Sequence, residues 1–223
     1  MPFGGVVGYI FWLFIYLWYS AYRYQIVTSA AGGDRNLPEI EISREEIFDY
    51  VFDAIKWGLS WLFVLFPAIA YMTYLVSTGA ITSLEVEEMG AAGWGGLIEL
   101  YADYPLFVIL VSGASFMWPM VVLCLVLGGW ETMLRPDMML VTIFRALGGY
   151  LATVAFWAAA IGLSVFGEWG IAQMQARGGG GMSAYIVALI LMDGVAIYTE
   201  IVSLRIIGLF YHHFKDRFAW DWG

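Results

Sequence analysis

Five apolar stretches, at about 4–22, 57–78, 104–128, 146–167 and 184–209, are each about long enough to cross a hydrocarbon core, which takes about 20 residues of helix. With 61% hydrophobic residues, a mean hydropathy of +0.76 and 13% charged residues, the chain belongs inside a bilayer. The expected fold is all-α: a single polytopic membrane domain over residues 1–223, with five transmembrane helices and short connections. No room is left for a large soluble domain.

The first stretch, Gly4 to Tyr22, lacks the basic start and the A-x-A-like end of a secretory signal, and it is crowded with Phe11, Trp12, Phe14, Tyr16, Trp18 and Tyr19. It is expected to be a retained helix. Nine of the ten Lys and Arg residues fall on one face of a five-span layout: Arg23, Arg35, Arg44 and Lys56, then Arg135 and Arg145, then Arg205, Lys215 and Arg217. Only Arg177 lies opposite. The positive-inside rule therefore puts the N-terminus outside and the C-terminus in the cytoplasm of a multi-pass inner (cytoplasmic) membrane protein.

The first connection is the most organised polar piece. Gly32-Gly33-Asp34 and Pro38 precede Ser43-Arg44-Glu45-Glu46, which reads as a capping box. Beyond it Ile47, Val51 and Ile55, with Phe48 and Phe52, share one helical face, while Glu45, Asp49 and Asp53 line another. The expectation is an acidic amphipathic cytoplasmic helix between the first two spans, running into the second. Its carboxylates either point to water or dock on a basic protein surface, since an anionic leaflet repels them. On the outer side, Glu85, Glu87, Glu88, Glu99 and Asp103 offer carboxylate oxygens that a weakly bound divalent cation would want, but they lack EF-hand spacing, and an acidic exterior loop that respects the charge bias needs no ligand.

Asp193 and Glu200 are the acids well inside an apolar span, seven residues apart and so on one helical face about 10 Å from each other. A charge at the membrane centre costs about 2.5 to 3.5 kcal/mol on insertion scales, so such groups face a partner, a cavity or a pathway. Arg145, Arg205 or a neighbouring subunit are the candidate partners. His212-His213 lies just past the last span; adjacent histidines point to different faces, unlike i, i+4 metal pairs. Tyr211, Trp220 and Trp222 there are candidate interfacial anchors. Cys124, the single cysteine, reads as a small buried hydrophobe.

No span contains a histidine, which disfavours haem or chlorophyll ligation, and there is no H-E-x-x-H, G-x-S-x-G or P-loop. No catalytic, cofactor-binding or metal residues are assigned, and an enzyme is not expected.

The order of apolar span, Tyr22 to Tyr24, Gly32-Gly33, Leu37-Pro38-Glu39, the acidic stretch Glu45 to Asp53 and a second span resembles a widespread family of bacterial and archaeal polytopic membrane proteins of unknown function. The tail RIIGLFYHHFKDRFAW also looks like the ending of related proteins. The resemblance implies a helical membrane fold and carries no activity. The reading that follows is a non-catalytic accessory or scaffold subunit of a larger membrane complex, its partners the lipid bilayer and other membrane subunits and not nucleic acid. The alternative is a small transporter or channel component that uses Asp193 and Glu200 to handle protons or cations.

Overall fold

The computed structural model describes residues 6–39, 47–82, 84, 85, 87, 103–176 and 182–220. Among them the chain is helical: α1 (Val6–Gly32), α2 (Ile47–Ser77), α3 (Pro105–Leu123), a π-helical turn (Cys124–Gly128), α4 (Gly129–Met133), α5 (Pro136–Arg145), α6 (Leu147–Ala176) and α7 (Met182–Phe214), with a 3-10 turn at Lys215–Arg217. An apolar segment in lipid has to satisfy its backbone hydrogen bonds internally, and a helix does so without help from neighbours.

Among the described residues, four helical stretches are long and apolar enough to cross a membrane: Phe48–Ser77, Pro105–Met133, Leu147–Ile171 and Tyr185–Arg217. These correspond to the second through fifth expected spans. The first expected span falls in α1, which is 27 residues long but is not among the four. Its apolar half is dense in Tyr and Trp, whose polar tips lower hydropathy and suit a headgroup-level position as well as a span.

The expected amphipathic segment and the second span are one uninterrupted helix from Ile47 onward, whereas the expected capping box at Ser43–Glu46 lies outside the described residues. At the start of α2 the inward stripe is Tyr50, Ala54 and Trp57. Phe48 and Phe52 stand out at 78% and 60% exposure.

Prolines and glycines mark the irregularities. Pro67 and Pro119 sit inside α2 and α3, where each removes one backbone donor. The π-helical turn after α3 ends at Gly129, whose φ of 73° disfavours a side chain. Pro136 opens α5 at the first helical position, where its missing N–H leaves no bond unmade.

The chain divides into two compact units. One comprises Met1–Trp61, Pro119–Phe156 and Ile201–Gly223; the other comprises Leu62–Trp118 and Trp157–Glu200. In the first, α1 and α7 approach closely: a Cβ on Gly208 would lie 2.5 Å from the Val27 carbonyl oxygen and 2.6 Å from the Ala30 Cβ. Small residues at a helix crossing let backbones meet in this way. The Arg23 guanidinium sits over the Tyr19 ring at 4.3 Å and the Trp57 ring at 5.0 Å, joining α1 to α2 by cation–π contact. The chain end folds back on this unit, with the Ala219 N–H donating to Thr142 Oγ1 at 3.1 Å and Phe218 packing on Phe210 and Tyr211.

In the second unit, Leu75 and Ile81 form a small core with Tyr71, Met72, Tyr104 and Phe107. The Tyr104 hydroxyl donates to the Ala80 carbonyl at 3.2 Å. Trp118 and Trp157 meet edge to face with ring centres 5.0 Å apart.

Candidate functional site

The middle of α7 carries the two acids expected to lie within a span. Exposed Ile186, Val187, Ile190, Leu191, Val195 and Ile197 surround Asp193, and the carboxylate itself is exposed. It makes no ion pair or hydrogen bond with another described residue. Glu200 is half-buried and engaged. The two acids share a helix and a unit.

Of the expected cationic partners, Arg205 is committed elsewhere: its Nη2 donates to the carbonyls of Asp34, at 2.9 Å, and Arg35. Arg145 is exposed, and its carbonyl accepts a 3.4 Å hydrogen bond from the Arg217 guanidinium.

The acids of the expected docking face are in unlike states. Glu45 lies outside the described residues. Asp49 is exposed, in the first turn of α2, where the helix dipole favours a negative charge. Asp53 is half-buried and forms a salt bridge of 3.2 Å with Lys56, whose ammonium also lies 5.4 Å from the centre of the Tyr24 ring. Asp49 is therefore the acid of this face that the described structure presents outward.

Tyr211 and Trp220 are half-buried against Phe218, with ring centres 5.1 and 5.9 Å away, so these expected anchors also tie the chain end to its unit. Trp222 lies outside the described residues. Cys124 is fully buried in the π-helical turn. Among the described residues no group of three or more His, Cys, Asp or Glu is placed to hold a metal ion.

A cleft of about 420 Å³ opens between the segment following α1 and the last turns of α7, lined by Gly33, Asp34, Arg35, Arg205, His212 and His213. Gly33 has φ of 89°, and a Cβ there would lie 2.5 Å from His212 Cε1, so the glycine serves both the turn and the seat of the imidazole. His212 Nδ1 is 3.3 Å from the Ala31 carbonyl oxygen, and His213 Nδ1 is 2.9 Å from that of Leu209. A carbonyl only accepts, so both rings carry their proton on Nδ1 and leave Nε2 uncommitted. The sequence reading noted these residues separately and did not join them; the signal was a Gly-Gly turn followed by Asp34-Arg35, and a cation, Arg205, inside the last span.

A second feature the sequence reading passed over is Thr82-x-x-Glu85. The Thr82 N–H and hydroxyl donate to one Glu85 carboxylate oxygen at 2.7 and 2.9 Å, and the Glu85 N–H donates back to Thr82 Oγ1 at 3.2 Å. That is the reciprocal pattern of a capping box. The hydrogen bonds from the Thr82 backbone and side chain hold the Glu85 carboxyl below its ordinary range.

No family model matches the chain, and comparison with curated proteins and with solved structures gives no match either.

Proposed function

We propose that this chain is a non-catalytic accessory subunit of a larger assembly in a cytoplasmic-type membrane, with α1 as a fifth span, its N-terminus outside and its C-terminus in the cytoplasm. Asp193 carries the reading. A carboxylate exposed among Ile190, Leu191, Val195 and Ile197 would face acyl chains in an isolated subunit, at about 2.5 to 3.5 kcal/mol on insertion scales. A partner helix that brings a hydrogen-bond donor or a cation to this position removes that cost. The apolar half of α1 supports the same reading, because Tyr9, Phe11 and Trp12 are 60% exposed or more and offer a broad rigid aromatic face. The resemblance to membrane proteins of unknown function agrees with this reading and adds no chemistry to it.

Two substitutions test it. Asp193→Asn keeps hydrogen bonding and should leave the assembly intact. Asp193→Leu relieves the cost of lipid exposure, so the chain should insert at least as well as the native one and yet lose its partner. An assembly unaffected by Asp193→Leu, together with an ion-driven flux in reconstituted vesicles that Asp193→Asn or Glu200→Gln abolishes, would replace the subunit reading with ion handling.

A further inference from the structure

We propose that the cleft between the end of α1 and the end of α7 binds a phosphate group, either the headgroup phosphodiester of an anionic membrane lipid or a free phosphate anion. Four observations lead there.

The first is charge. The lining carries two guanidiniums, Arg35 and Arg205, against one carboxylate, Asp34. Arginine presents a planar fork of N–H donors that matches phosphate oxygens, and it is weakly hydrated, so it binds phosphate at a partly sheltered site at less desolvation cost than lysine.

The second is donor supply. Helix α1 ends in carbonyls that a phosphate would meet as like charge, and Arg205 covers two nearby ones, those of Asp34 and Arg35, with a single nitrogen, Nη2. A guanidinium has five N–H groups. The donors on Nε and Nη1 of Arg205 make no hydrogen bond to a described residue, and the exposed Arg35 side chain adds a second fork at the mouth.

The third is shape. At about 420 Å³ the cleft is of the size of small-molecule sites. Its wall depends on Gly33, since a side chain there would strike the His212 ring.

The fourth is place. The cleft lies at the end of α7 that leads into Lys215 and Arg217, the side that the charge bias assigns to the cytoplasm. Basic pockets between membrane helices on that side are where anionic headgroups are held.

The full chain in detergent micelles, titrated separately with phosphatidylglycerol, with phosphatidylcholine of the same acyl chains and with inorganic phosphate, tests this, with binding read by native mass spectrometry. Arg35→Gln is the informative variant because it changes an exposed side chain and leaves the Arg205 contacts to the backbone in place. Removal of one cation should weaken phosphatidylglycerol binding about fivefold. Lys215→Gln, which removes an exposed cation outside the cleft, should leave it unchanged. If inorganic phosphate binds and Arg35→Gln weakens it, the site serves a soluble phosphate; if only phosphatidylglycerol shows this sensitivity, it serves a lipid. Equal affinity for the two lipids without phosphate binding, or equal losses in the Arg35 and Lys215 variants, would overturn the proposal.

Discussion

Among the described glycines, Gly208 is one where a missing side chain lets two helix backbones meet. A Cβ there would run into the Val27 carbonyl oxygen, which belongs to helical backbone and cannot swing away. At Gly167 the obstructing atom is the Met192 methyl, the far end of a flexible side chain. Gly208→Ala should therefore destabilise the fold by the about 1 to 3 kcal/mol typical of overpacking, and Gly167→Ala should cost distinctly less. Thermal unfolding in detergent separates them: a lower transition for Gly208→Ala is expected, and equal transitions would mean that α1 and α7 do not meet closely at this glycine. The sequence marked Asp193 and Glu200 as anomalies because charge in an apolar run is visible without coordinates. It did not reveal that one is exposed and the other half-buried and engaged, since both are on the same helical face by spacing and only packing tells them apart.

Among the elements, the four long apolar helices were legible from hydropathy. From Ile47 onward α2 runs unbroken into the second apolar stretch, as expected of an amphipathic segment that leads into that span. The Thr82–Glu85 box was also in plain view but lay in a loop read only for its negative charge. Its carboxylate form accepts two hydrogen bonds, so its contribution is fully present above the ordinary glutamate value of about 4.3 and is lost as pH falls through the lowered folded value. An NMR titration of the Glu85 carboxyl carbon should give a midpoint below that of a free glutamate, and Thr82→Ala, which removes the hydroxyl donor but keeps the backbone N–H, should raise it part of the way toward the ordinary range. A midpoint that does not respond to Thr82→Ala would remove the box.

For the whole molecule, four helices among the described residues have the length and apolarity to span a membrane, which is consistent with a membrane protein. The cleft at the α1 and α7 ends was not legible, because its residues come from positions 33–35 and 205–213 and only the fold joins them. The proposed orientation is checked by cysteine labelling at Pro2 and Trp222 in a Cys124→Ala background, where modification from opposite sides is expected; modification of both from one side would reject five spans. Subunit status is the central claim, and it rests on an exposed carboxylate that lipid does not tolerate well. The most direct measurement is the native mass of the assembly extracted from its own membrane in a mild detergent. The account predicts this 25.0 kDa chain in fixed stoichiometry with at least one different membrane protein, released by Asp193→Leu. Recovery of this chain alone or only with copies of itself, unchanged by that substitution, would contradict it.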